Sequence, residues 1–331
     1  MAFSALIVLA TCLVSQVLAH GGVVSYTIGG QTFTGWQPYN DPSSQSSIER
    51  PYSSYDPILS ATASTISCNN NGQASAHQLT TSVPAGTQIV AHWSQWTHAQ
   101  GPVMVYMAKC PGSCTAANSA TLDWFKIAET GLISGTLPSG VWGTGQVMDT
   151  LSYTTSIPSS LAPGEYLIRH ELLALHQANT PQFYPECAQL TVTGSGTKTP
   201  SGSYLVKFPG GYSASDPSIN INIYTTEAAS TTTYKVPGPP VWNGGAIACT
   251  SLTTSSGSCF LQPLMELGIV DRIAMGFLYS LVLQLDIPLV TIRIRTQANA
   301  LNLTVFHALN IHAGPPAQGS SHRASSNINP S

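Results

Sequence analysis

What most limits the fold of this chain is a recurring pattern of short apolar runs, rich in β-branched and aromatic residues and cut off by Gly, Pro, Asn and Ser. The clearest are "GTQIVAHW", "GPVMVYMAK", "GEYLIRHELLAL", "CAQLTVTG" and "INIYTT". Each is long enough to cross a sheet once. No segment before residue 245 sustains a 3.6-residue apolar period. "CAQLTVTG" alternates as a strand with one buried face should. The expected fold is all-β: an immunoglobulin/fibronectin-III-like β-sandwich with long surface loops. Composition agrees, since charged residues make up only 8% of the chain, with 28 Gly and 23 Pro, as in a secreted β-rich protein. A formal net charge of -3 leaves no basic footprint for nucleic acid.

The ends differ from the middle. Residues 1–19, "MAFSALIVLATCLVSQVLA", are uncharged and mostly apolar and close on Val17-Leu18-Ala19, a small-x-small pattern. They read as a secretory signal peptide, too short and wrongly flanked for a membrane span, although the usual basic residue is missing. Cleavage after Ala19 would make His20 the first residue. Residues 20–243 carry the strand pattern, and "YKVPGPPVWNGG" closes it. Residues 244–331 form a Ser/Thr-rich then apolar tail, ending in "GPPAQGSSHRASSNINPS", which reads as disordered or as a gene-model artefact. Its longest uncharged apolar run, Ile273 to Leu285, is 13 residues, too short to span a bilayer. The sequon Asn302-Leu303-Thr304 falls in this tail.

Cys12 leaves with the signal, and six cysteines remain: Cys68, Cys110, Cys114, Cys187, Cys249 and Cys259. An even number in an oxidising compartment suggests disulfides. In "CPGSC" a Pro-Gly turn brings Cys110 to Cys114, and Cys68 is expected to pair with Cys187. Zinc is the competing reading of the close pair, but no CxxC or nearby histidine pair supports it.

A histidine at a free N-terminus offers two nitrogens, the α-amine and ring Nδ1, that can chelate one metal. One further imidazole gives three nitrogens in a plane, a set that suits Cu(II). The amine has an unperturbed pKa of about 8, so a metal displaces its proton readily near neutral pH. His77, His92, His98, His170 and His176 are the candidates for the partner. His98 precedes a Gly-Pro turn and a strong strand, a well-held place for a ligand, but a lone loop histidine is more often structural or solvated.

Four motifs in order, "HGGVVSY" after the signal, "THAQGPVMVYMAKC", "GEYLIRHELLALHQANTPQFYPECAQL" and "YKVPGPPVW", resemble the fungal lytic polysaccharide monooxygenases of auxiliary activity family 9, formerly family 61 glycoside hydrolases. The resemblance runs from about His20 to Trp242. It implies a copper monooxygenase domain over residues 20–243, with one copper ion held by His20 through amine and ring, by His98, and by Tyr184 of the Gln-Phe-Tyr run as axial oxygen. It implies that His176 and Gln182 act beside the copper on an oxygen species, and that Tyr184 shares in the catalytic set. The disulfides of the family resemble Cys68–Cys187 and Cys110–Cys114. On an extended strand Gln182 and Tyr184 would face one side, and a bridge at Cys187 would anchor it. Two departures fall near the metal: two residues separate His98 from Gly-Pro where many members have one, and the segment from His176 to Gln182 is short.

The implied reaction is oxidative cleavage of β-1,4-glucan, above all cellulose, by hydroxylation at C1 and/or C4, with an external electron donor and O2 or H2O2. The implied protein is a secreted monomer that engages neither nucleic acid nor a membrane. Tyr212, in "FPGGYSASDP", resembles a substrate-stacking tyrosine; Tyr26, Trp36 and Tyr39 are weaker candidates. Three rivals stand beside this reading. A two-carboxylate hydrolase would draw on Asp149, Glu165, Glu171 or Glu186, but Glu165 and Glu171, six apart on a strand, would lie roughly 20 Å apart. A non-catalytic carbohydrate-binding module would need no N-terminal histidine, and a copper-transport protein would need no flat face.

Overall fold

The computed structural model describes residues 20–69, 72–244, 289–295 and 300–306. The expected signal peptide, residues 1–19, and most of the tail, including Cys249 and Cys259, lie outside the described residues. The chain divides into two units, and the second is described only by β12 (Leu289–Arg295) and β13 (Ala300–Phe306), which pair antiparallel.

The first unit is a sandwich of two sheets. One has the order β2-β1-β4-β9, built from β1 (Val23–Ile28), β2 (Gln31–Thr34), β4 (Gln88–Trp93) and β9 (Ser152–Ser156). The other has the order β3-β11-β10-β5-β6, from β3 (Thr81–Pro84), β5 (Val103–Lys109), β6 (Trp124–Thr130), β10 (Gly164–Ala174) and β11 (Gln182–Thr193). A small hairpin of β7 (Leu132–Ser134) and β8 (Val141–Trp142) leads into the helix α1 (Gly143–Thr150). Gly29 and Gly30, both at positive φ, make the two-residue turn that joins β1 to β2, a conformation other residues resist.

Four of the five expected runs are strands: β4, β5, β10 and the second half of β11. The fifth, "INIYTT", is loop and turn in which Ile221 is half-buried and Ile223 buried while Tyr224 is exposed. It mimics a strand because its alternation arises from two anchors of a loop rather than from a pleat. The helix α1 escapes periodicity because it is short and begins Gly-Thr-Gly; Leu151, at φ 50°, ends it.

The long central strands are apolar on both faces. On β10, Tyr166, Ile168, His170, Leu172 and Ala174 point between the sheets, with Tyr184, Ala188, Leu190 and Val192 of β11 packing on the same side. Leu167 and Leu173, with Phe183 and Cys187, face a second core under the loops. So β11 is covered on both sides as far as Leu190, more than its alternation suggested. Both expected disulfides are present, Cys68–Cys187 and Cys110–Cys114.

This second core holds a buried ion pair. Arg169 donates to both carboxylate oxygens of Glu171 at 2.7 and 2.8 Å, and to the carbonyls of Ser67 and Ile66. Its guanidinium lies over Phe208 at 4.2 Å. Removing one partner of such a pair strands the other charge. Glu171→Gln is expected to destabilise the protein by about 3 kcal/mol or more, measured by denaturant unfolding; an unchanged midpoint would contradict this account of the core.

Candidate metal centre

Several strand ends converge on one rim of the sandwich. β1 begins just after His20, the loop from β4 to β5 carries His98, and the connection from β10 to β11 carries His176 and leads into Gln182 and Tyr184. The ring of His20 lies 5.6 Å from that of His98 and 5.8 Å from that of Tyr184, centroid to centroid, and His98 lies 6.4 Å from Tyr184. Trp96 braces both edge-on, at 5.1 Å from His98 and 4.8 Å from Tyr184. His176 stacks on His98, centroids 3.9 Å apart and ring planes nearly parallel at 7°.

Backbone and side-chain bonds hold these rings in place. Gln95 Nε2 donates to the carbonyl of His20, Trp96 Nε1 to that of His98, and Leu175 N–H to that of Gln100. The Tyr184 hydroxyl donates to Gln182 Oε1 at 2.8 Å, across the two-residue spacing of one strand face. The glycines after His20 are required by space. A Cβ on Gly21 would come within 2.2 Å of the Gln95 carbonyl, and one on Gly22 within 2.4 Å of the Tyr52 hydroxyl.

The electrostatics favour neutral imidazoles. Burial, with help from His176 and His20, lowers the His98 pKa to about 4. Burial lowers that of His176 as well, and raises that of Tyr184. His98 Nε2 and His176 Nδ1 are buried without a hydrogen-bond partner. A lone pair left so beside a second imidazole is what a metal ligand requires. Among the described residues no three His, Cys, Asp or Glu side chains converge as a metal site. Two imidazoles and a phenol therefore fit a metal only if another nitrogen comes from the backbone, and His20 would supply it as an α-amine once the chain is cut after Ala19. Asp56 Oδ1, 3.9 Å from His20 Nδ1 on an exposed side chain, is the nearby carboxylate.

The rim is open. The concavity lined by Lys109, Cys110, Pro111, Gly164 and Glu165 lies at the opposite ends of β5 and β10 from the histidines. Two exposed tyrosines stand near the rim. Tyr224, 53% exposed, donates its hydroxyl to the carbonyl of His176 at 2.9 Å. Tyr39, 64% exposed, packs edge-on against Tyr55, whose neighbour in sequence is Asp56. Tyr224 was not foreseen, because its run resembles a strand; its polar flanks, Asn222 and Thr225, were the signal available.

The other expected substrate contacts do not hold. Tyr212 is only 4% exposed, with its hydroxyl bonded to Glu171 and Tyr106 beneath the loops. Tyr26 is wholly buried, donating to Glu49 at 3.0 Å, and Trp36 donates to the carbonyl of Tyr52 from the core. A ring without an exposed face cannot stack on a ligand. Glu171 is tied to Arg169, and Glu186 is enclosed beside Glu49, where burial pushes its pKa up to about 8. Neither offers a hydrolase a carboxylate open to substrate.

Comparison with known proteins decides the family. The profile of Auxiliary Activity family 9 (formerly GH61) matches residues 20–234. The AA9 family lytic polysaccharide monooxygenase B of Heterobasidion irregulare is 55% identical over 231 residues, covering 69% of this chain and 94% of that protein. The chain belongs to Auxiliary Activity family 9. An Agaricus bisporus protein of the family, a lytic polysaccharide monooxygenase-like protein, is 52% identical over 243 residues, 72% of this chain and 76% of its own. The crystal structure of HiLPMO9B superposes with a TM-score of 0.66 at 54% identity, over 68% of this chain and all of that one. A cellulose-active polysaccharide monooxygenase from M. thermophila superposes with a TM-score of 0.62 at 41% identity, over 68% of this chain and 99% of its own. The fold is thus the immunoglobulin-like sandwich of this family. The protein is a lytic polysaccharide monooxygenase, a copper-dependent oxidoreductase that cleaves polysaccharide by oxidation.

Because Tyr212 lies inside the core, Tyr212→Phe is expected to cost about 1–3 kcal/mol of stability by leaving the Glu171 oxygen short of a donor. Pull-down on insoluble polysaccharide should be unchanged; weakened binding by a variant of parental stability would return Tyr212 to the substrate face.

Proposed function

We propose that the protein is secreted, released after Ala19, and acts as a monomer that cleaves the β-1,4-glucan chains of cellulose. Its copper ion is held by the α-amine and ring of His20, the ring of His98 and the hydroxyl of Tyr184. The observation that carries this reading is the meeting of His20, His98 and Tyr184 on an open rim, with His98 Nε2 buried and unpartnered. Bound copper supplies one-electron chemistry that, with an external donor, activates O2 or H2O2 for hydroxylation at C1 and/or C4.

The residues of the chain do the rest. Gln95 and Trp96 hold the backbones of the two histidines, so the ligand set need not reorganise. Gln182, its Oε1 engaged by Tyr184, keeps its Nε2 hydrogens to donate beside the metal. His176, lowered in pKa and stacked on His98, offers a neutral imidazole able to carry a proton. Tyr39 and Tyr224 offer exposed rings to the apolar faces of sugars, an arrangement suited to a flat substrate rather than to a single chain in a pocket. The likeness to the cellulose-active polysaccharide monooxygenase from M. thermophila supports cellulose as the first polymer to try. Among the described residues no helix is long and apolar enough to cross a membrane.

Copper-loaded protein incubated with amorphous cellulose and ascorbate is expected to release oxidised cello-oligosaccharides, detected by mass spectrometry, and none without reductant. Unoxidised sugars released independently of ascorbate would overturn the proposal in favour of hydrolysis. Tyr39→Ala and Tyr224→Ala should each weaken binding to cellulose by about 1–3 kcal/mol, as loss of a ring stacked on a flat partner does elsewhere, while Cu(II) binding stays at the parental level. Parental cellulose binding by the double variant would place the substrate elsewhere.

A further inference from the structure

The backbone at the start of the sandwich is held at three points, on His20, Gly22 and Val23. Gln95 Nε2 donates to the His20 carbonyl, Ser94 N–H donates to the Gly22 carbonyl at 3.0 Å, and Val23 N–H donates to Glu186 Oε2 at 2.9 Å. The last bond has an unusual origin. The pairing of β1 with β4 shifts register between Val23 and Ser25, and a side chain from the other sheet takes up the Val23 amide. Glu186 is 2% exposed, and its Oε1 would lie 2.5 Å from a Cβ on Gly22. The same carboxyl group thus touches the N-terminal segment at two consecutive residues.

Glu186 is also two residues beyond Tyr184 on β11, and both pack between the sheets. One strand face therefore presents Gln182, Tyr184 and Glu186 in succession. We propose that Glu186 is a positioning residue: by accepting the Val23 amide it ties the His20 segment to the strand that carries Tyr184, and so sets where the two ligands stand relative to each other. This rests on the reading of His20 and Tyr184 as copper ligands.

The test uses full-length protein expressed in a secreting host, with Cu(II) as the probe. Glu186→Gln keeps an acceptor oxygen in the same place, and should bind Cu(II) within about twofold of the parent with the same paramagnetic resonance spectrum. Glu186→Ala should bind it at least about tenfold more weakly, the scale seen when an outer-shell partner is lost, and with a changed hyperfine splitting. A folded Glu186→Ala protein with parental affinity and spectrum would overturn the proposal. So would a Glu186→Gln protein as impaired as Glu186→Ala, since the charge rather than the hydrogen bond would then matter. If Glu186→Ala does not fold, amide exchange in the metal-free parent decides. Val23 protected as well as the β4 ladder supports the proposal, and exchange at the rate of an exposed loop amide overturns it. Failure of the parent to bind copper would instead overturn the ligand assignment.

Discussion

The ladder between β10 and β11 runs the whole 11-residue length of β10, from Gly164 opposite Val192 to Ala174 opposite Gln182. Much of the metal rim hangs from this pairing. Register in a sheet with two buried faces is strongly specified, because a slip of one residue would exchange the faces of every side chain. Here a slip would turn Tyr184 away from His20 and Phe183 toward it. Cys187, bridged to Cys68, fixes the same strand to the loop that precedes β3. The position of the Tyr184 hydroxyl is therefore a consequence of packing along the sheet, not of a flexible loop.

The protein buries polar groups on both faces of this strand pair, and the two faces solve the cost differently. On the loop side Arg169 and Glu171 compensate each other, and Tyr212 and Tyr106 extend their hydrogen bonds. Between the sheets Glu49 and Glu186 are held by donors: Tyr26 and the Trp36 amide for Glu49, and the Val23 amide for Glu186. Burial raises both pKa values, with Glu186 adding to the rise at Glu49. Backbone amides and phenols can satisfy a protonated carboxyl group where a lone buried carboxylate would be costly. Both clusters are enclosed, which leaves the exposed surface around the histidines to tyrosines and polar loops.

How much of this was legible in the sequence follows from what each feature depends on. The strands β5 and β10 announce themselves by composition, since a fully covered strand must be apolar along its length, and β4 by alternation, with Ile89, Ala91 and Trp93 on its buried face. The convergence of His20, His98, His176, Gln182 and Tyr184 was legible because they lie in runs with a specific order, and order survives where geometry cannot be read. The aromatic face was not. Tyr212 and Tyr224 both sit in polar loops after β11, and only the folded path shows that Tyr212 turns inward to Glu171 while Tyr224 turns outward over His176. Local sequence carries no record of which loop tyrosine meets a buried carboxyl group forty residues away. The helix α1 was hidden for a simpler reason: a helix of two turns beginning with glycine is set by packing rather than by propensity.

The central claim is that the first residue of the working protein supplies two ligands to one copper ion. Continuous-wave paramagnetic resonance during a Cu(II) titration tests it most directly, comparing the secreted protein with a form that retains one residue ahead of His20. The account predicts a single copper site with three coupled nitrogens in the secreted protein, and loss of that signal together with weaker binding in the extended form. The same spectrum and the same affinity in both forms would contradict it.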